Sequence, residues 1–95
     1  MTEEISERIN QRRRQILVHS VIYYKYNDSI ISDDKWISFA KELRDLQEQY
    51  PKIAAACEYA EEFDRFDYSS GYDLPLDNEW VNVTAQRLLY LRNKS

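Results

Sequence analysis

One glycine and two prolines in 95 residues leave this chain few places where the backbone can turn at positive φ, which tight β-hairpins and phosphate-cradling loops require. An all-β or nucleotide-loop architecture is therefore disfavoured, and helices are expected. A chain of this length can bury a core as one domain, residues 1–95, without disulfides or a structural metal, although the margin is small. Cys57 is the single cysteine and His19 the single histidine. No intramolecular disulfide can form, no thiolate zinc site can be assembled, and no metal is expected. No apolar run approaches the ~18 residues of a membrane span or the ~7–15 of a signal-peptide core, so a protein that stays in the cytoplasm is expected.

The hydrophobic spacing predicts about four helices. Thr2 is a plausible cap for a first helix running to about Tyr26, with Glu3 and Glu4 at its positive end and a stripe of Ile5, Ile9, Ile16 and then Val21 or Tyr23. Arg12-Arg13-Arg14 interrupts that stripe, which implies a basic face turned to solvent or to an anionic partner. After the turn formers Asn27-Asp28-Ser29, Ser32 followed by Asp33 and Asp34 is a strong helix start. Trp36, Phe39, Leu43, Leu46 and Tyr50 then recur at three- and four-residue steps until Pro51. Pro51 can open a third helix through Ala54-Ala55-Ala56 to Phe63, and Asp77 can cap a last helix through Trp80, Leu88 and Leu91. The expected fold is a small all-α bundle in which residues 3–50 form an antiparallel helical hairpin. Residues 51–95 supply the remaining helices and an aromatic, acidic loop at 64–77.

Net charge is −4, and the excess sits in the C-terminal half: residues 58–79 hold eight acids against Arg65 alone. That stretch is a poor match for nucleic-acid backbone. Interleaved with Phe63, Phe66, Tyr68, Tyr72 and Trp80, its carboxylates resemble the anchors of a protein interface.

Four short motifs stand in a fixed order: His19-Ser20-Val21-Ile22-Tyr23-Tyr24, Ile31-Ser32-Asp33, Asp33-Asp34-Lys35-Trp36-Ile37, and Glu42-Leu43-Arg44-Asp45-Leu46 running on to Pro51. Their joint register makes Arg8 to Pro51 resemble the N-terminal helical domain of bacterial NAD-dependent DNA ligases, whose hairpin recognises the nicotinamide mononucleotide half of NAD. The resemblance implies ligand-facing roles for Tyr23, Tyr24, Asp33 and Trp36. A flat, electron-poor cation stacks favourably on such rings. Where the family pattern has a Tyr-Asp pair, this chain has Trp36-Ile37; losing a carboxylate that holds ribose or amide costs on the order of 1–3 kcal/mol, roughly ten- to a hundredfold in affinity. Asp34 compensates only if the helix begins in a slightly different register. The nucleotidyl-accepting Lys-x-Asp-Gly pattern of ligases follows none of Lys25, Lys35, Lys41, Lys52 or Lys94, so no catalysis is expected. The segment Phe66-Asp67-Tyr68-Ser69-Ser70-Gly71-Tyr72-Asp73-Leu74-Pro75 is similar to the tail of short phage-borne ligase-related proteins.

Plainer readings stand beside these. Aromatics at helical spacing in a small protein are usually core, Asp33 after a capping serine serves the helix dipole, and a basic run is usually a solvated face. His19 has no evident acid or nucleophile partner, and Cys57 suits a small core position. The leading expectation is a non-catalytic binding module, an accessory or inhibitory protein of a phage or mobile element acting by contact with a protein in the bacterial host's cytoplasm. Asp64, Asp67, Tyr68, Tyr72 and Asp73 are its expected partner surface. In its specific form it is an acidic DNA mimic that blocks a nucleic-acid-binding or defence enzyme, such as a CRISPR nuclease, and it takes no cofactor. The alternative is a sensor of nicotinamide mononucleotide or NAD, or a domain that works in trans with a ligase lacking its own hairpin.

Overall fold

In the computed structural model, residues 2–63, 74 and 77–94 are described. Among them there is no strand, and five helical segments follow one another: α1 Thr2–Tyr24, α2 Asp33–Gln49, α3 Pro51–Ala56, α4 Ala60–Phe63 and α5 Glu79–Lys94. The all-α class is as the spacing predicts. Of the expected loop 64–77, Leu74 and Asp77 lie within the described residues.

Local chemistry sets most boundaries. Asn27, at φ 52°, takes the left-handed conformation that asparagine tolerates better than most residues. The turn it makes returns the Asp28 N–H to the Ile22 carbonyl at 3.0 Å and ends α1. Ser32 caps α2 as its sequence position predicts, its Oγ accepting from the Lys35 N–H at 3.1 Å. Pro51 excludes helical geometry at Tyr50, whose φ and ψ are −127° and 62°, and then serves as the first residue of α3. The cap of α5 is Asn78, not Asp77: the Val81 N–H donates to Asn78 Oδ1 at 3.0 Å, whereas Asp77 faces Lys25 across 3.9 Å.

One expected helix is two. Residues 51–63 break at Cys57–Tyr59 because α1 captures the backbone there. The Glu58 N–H donates to Asn10 Oδ1 at 2.9 Å, and the Glu58 carbonyl accepts from Arg13 Nη1 at 2.8 Å. These bonds replace helical ones and hold Tyr59 at φ 62°, where a non-glycine residue carries roughly 1–2 kcal/mol of strain.

The same contacts correct the expectation for the basic run. Arg12 and Arg13 are buried inside the bundle and do not form a solvated face. Arg12 lies 4.3 Å from the centre of the Phe39 ring and pairs with Glu42. Arg13 sits over Phe63 and gives two hydrogen bonds to Gln47 Oε1. Arg14 reaches Glu58 at 2.6 Å. Burial opposes ionisation of Glu42, but hydrogen bonds from Arg8 and Arg12 outweigh it and hold that carboxyl below the usual range. The planar guanidinium makes this arrangement workable, since it stacks on aromatic faces while its edges donate.

Ile9, Ile16, Leu17 and Val21 of α1 meet Ala40 and Leu43 of α2, and Val81 and Ala85 of α5 close over the other side of α1. Phe63, Ala54 and Leu74 complete the core. Helix α1 is thus the central element, packed against both α2 and α5. The eight-residue connection 25–32 reverses the chain, so that α1 and α2 form the antiparallel hairpin with one open end.

Candidate functional site

At that open end the hairpin holds a cleft of about 250 Å3. Its walls come from the last turns of α1, the connection that follows, and the first turn of α2. All four residues assigned by resemblance line it: Tyr23, Tyr24, Asp33 and Trp36. Tyr23 and Tyr24 are 55% and 39% exposed, so they are surface groups, contrary to the plainer expectation of core aromatics. Their rings meet edge to face, with centroids 4.9 Å apart and planes at 83°, an arrangement the aromatic quadrupole favours. Trp36 is half-buried and packs against the core on its inner side. Asp33, the first residue of α2, is exposed at the rim. Because Ser32 caps the helix, Asp34 falls outside the cleft lining and does not stand in for the carboxylate missing at Ile37.

Ile30, Ile31 and Ile37 make the remaining wall apolar, and Ser20 and His19 lie along the α1 side. The last two were not among the expected site residues. Ser20 sits three residues before Tyr23 and four before Tyr24, and His19 four before Tyr23, the spacing that puts helical residues on one face, so the periodicity of α1 contained the signal. Burial, with help from the charge of Lys35, keeps the His19 imidazole below its ordinary value of 6.5, and so neutral at physiological pH. Among the described residues no cluster of His, Cys, Asp and Glu is arranged to hold a metal ion.

The connection that lines the cleft is braced from the far end of the chain. Arg92 of α5 grips the Asp28 carboxylate with both terminal nitrogens, at 2.6 and 3.0 Å, and also donates to the Ser29 carbonyl at 3.2 Å. Hydrogen bonds from Arg92 and from the Ser29 N–H hold the Asp28 carboxyl at about 2, down from 3.8. Depressed ionisation of this kind stabilises the folded state fully above the unfolded value and is lost as pH falls through the folded one. The clamp should therefore persist down to about pH 4 and release between there and pH 2. An Arg92→Ala protein should keep its fold, because the pair is half-exposed, but exchange the amides of residues 29–31 measurably faster at neutral pH. Unchanged exchange at those amides would show that the clamp does not order the cleft wall.

The profile of the DNA ligase-like, N-terminal NAD+-binding domain matches residues 2–56, more than half of the chain and the whole of the cleft. The chain belongs to this family. Within it, a DNA ligase of Pseudothermotoga lettingae is 37% identical over 51 residues, 54% of this chain and 8% of the ligase. A DNA ligase of Fervidobacterium nodosum is 30% identical over 53 residues, 56% of this chain and 8% of the ligase. The chain thus corresponds to a small fraction of the ligases it resembles. No solved structure matches it.

Membership in an NAD+-binding-domain family corrects the leading expectation. A phage or mobile-element inhibitor acting as an acidic DNA mimic, of anti-CRISPR type, finds no support, since the similarity resides in the hairpin and in DNA ligases. Asp64, Asp67, Tyr68, Tyr72 and Asp73, the partner surface of that reading, lie outside the described residues. The accompanying expectation of no cofactor is likewise unsupported in a family described by NAD+ binding. Among the described residues no helix is long and apolar enough to cross a membrane.

Proposed function

We propose that the hairpin cleft binds the nicotinamide mononucleotide moiety of NAD+, and that the chain acts by recognition without making or breaking a covalent bond. The observation that carries this reading is the convergence of Tyr23, Tyr24, Trp36 and Asp33 on one cleft, inside the segment matched by the NAD+-binding profile. The chemistry fits the ligand. A positively charged pyridinium ring stacks on aromatic faces and is attracted by their quadrupole, and the Asp33 carboxylate at the rim can accept from ribose hydroxyls. The volume of about 250 Å3 lies just below the roughly 300–1,000 Å3 of pockets that bury drug-sized ligands. It therefore suits one ring with its sugar and leaves the rest of a dinucleotide in solvent. No lysine stands in a Lys-x-Asp-Gly pattern, which supports the recognition-only role. By its kinship to ligases, the chain suits service to a ligation reaction completed by other residues or another protein.

Adding nicotinamide mononucleotide is expected to quench tryptophan fluorescence and release heat in calorimetry, with the quenching retained when Trp80, on α5 and outside the cleft lining, is replaced by Phe. Asp33→Asn should weaken binding by roughly ten- to a hundredfold. No heat and no quenching at millimolar ligand would remove the proposal.

A further inference from the structure

Ser20 is the polar residue most completely enclosed beside the cleft. It is 1% exposed, it lines the cavity wall, and its hydroxyl has no hydrogen-bond partner. The Nδ1 of the neighbouring His19 is also enclosed, also without a partner, and along the same wall. Buried polar atoms are nearly always satisfied, and leaving one unmet is costly. Two adjacent unmet groups at one cavity point to a polar group supplied by a ligand; a third such atom, Arg14 Nε, lies outside the cleft lining.

We infer that Ser20 and His19 form a recess for the carboxamide of the nicotinamide ring and make the cleft select that amide over the corresponding carboxylate. This deepens the function proposed above and rests on it. A carboxamide offers an acceptor oxygen and two N–H donors. A serine hydroxyl both donates and accepts, and a neutral imidazole nitrogen does one or the other according to tautomer. The recess can therefore satisfy the amide without any charge. A staggered χ1 change is all a serine needs to redirect its oxygen toward a bound group. A carboxylate at the same place would be desolvated beside neutral groups, with Asp33 as the charged side chain of the cleft lining. Lys35, the cation felt at His19, is exposed and outside the lining, where water screens it. Burying a carboxylate without a paired cation is strongly unfavourable.

The test compares nicotinamide mononucleotide with nicotinic acid mononucleotide by calorimetry on the whole chain. The amide is expected to bind at least about tenfold more tightly. Ser20→Ala should bring the two affinities together while leaving thermal stability unchanged or slightly raised, because alanine suits a helix and removes an unmet group. His19→Gln, a second variant that keeps polarity but moves it, should also narrow the ratio. Equal affinities for amide and acid in the unaltered protein would overturn this inference and leave the binding proposal standing. A preference that survives both substitutions would overturn it as well. Failure of both nucleotides to bind would remove the binding proposal and the inference together.

Discussion

Replacing Leu43 by alanine is expected to cost about 2–5 kcal/mol, a large part of the roughly 5–15 kcal/mol that holds a domain of this kind together. Leu43 is wholly buried on α2, among the core residues joining α2 to α1. Ala40, three residues earlier on the same helix and also buried, has little side chain with which to fill the space. Each kcal/mol lowers the melting temperature of a 60–100-residue domain by roughly 4–8 °C, so a thermal melt should fall well beyond one such step. Leu91→Ala, at a position 53% exposed on α5, should barely move it. Equal melting temperatures for the two variants would mean that the α1–α2 interface does not carry the stability assigned to it.

Ile37→Asp is expected to tighten binding of nicotinamide mononucleotide by roughly ten- to a hundredfold. The position lines the cleft and is 42% exposed, so the substitution places a carboxylate at the wall without emptying the core. It lies near the positive end of α2, where an acidic group is tolerated or favoured. The gain should appear in Kd measured by calorimetry, with Ile37→Asn as the uncharged control. Unchanged affinity would show that a carboxylate at this register does not reach the sugar or the amide.

Most of what positions the cleft was legible in the sequence because it is local. Ser32 before two aspartates, Pro51 after an apolar stripe, and asparagine at a left-handed turn each act through their own backbone, so reading them requires no knowledge of the rest of the fold. What stayed hidden depends on partners distant in the chain. The arginines at 12 and 13 read as a solvated face because nothing nearby in sequence announces Phe39, Phe63 or the Glu58 carbonyl as their partners. The break at Cys57–Tyr59 has the same origin, since alanine-rich sequence favours continuing the helix until Asn10 and Arg13 claim the Glu58 backbone. At the cleft, Tyr23, Tyr24, Asp33 and Trp36 came from motif register. Ser20 and His19 required knowing which side of α1 faces the opening.

The grip of Arg92 on Asp28 and Ser29 gives the chain an anatomy that its similarity to ligases does not share. The recognisable stretch stops at residue 56, yet the strut that steadies one lip of the cleft is bolted to the opposite end of the molecule. The structural unit that shapes the cleft therefore extends past the matched stretch. An excised hairpin would carry every residue that lines the cleft and is expected to present a looser mouth.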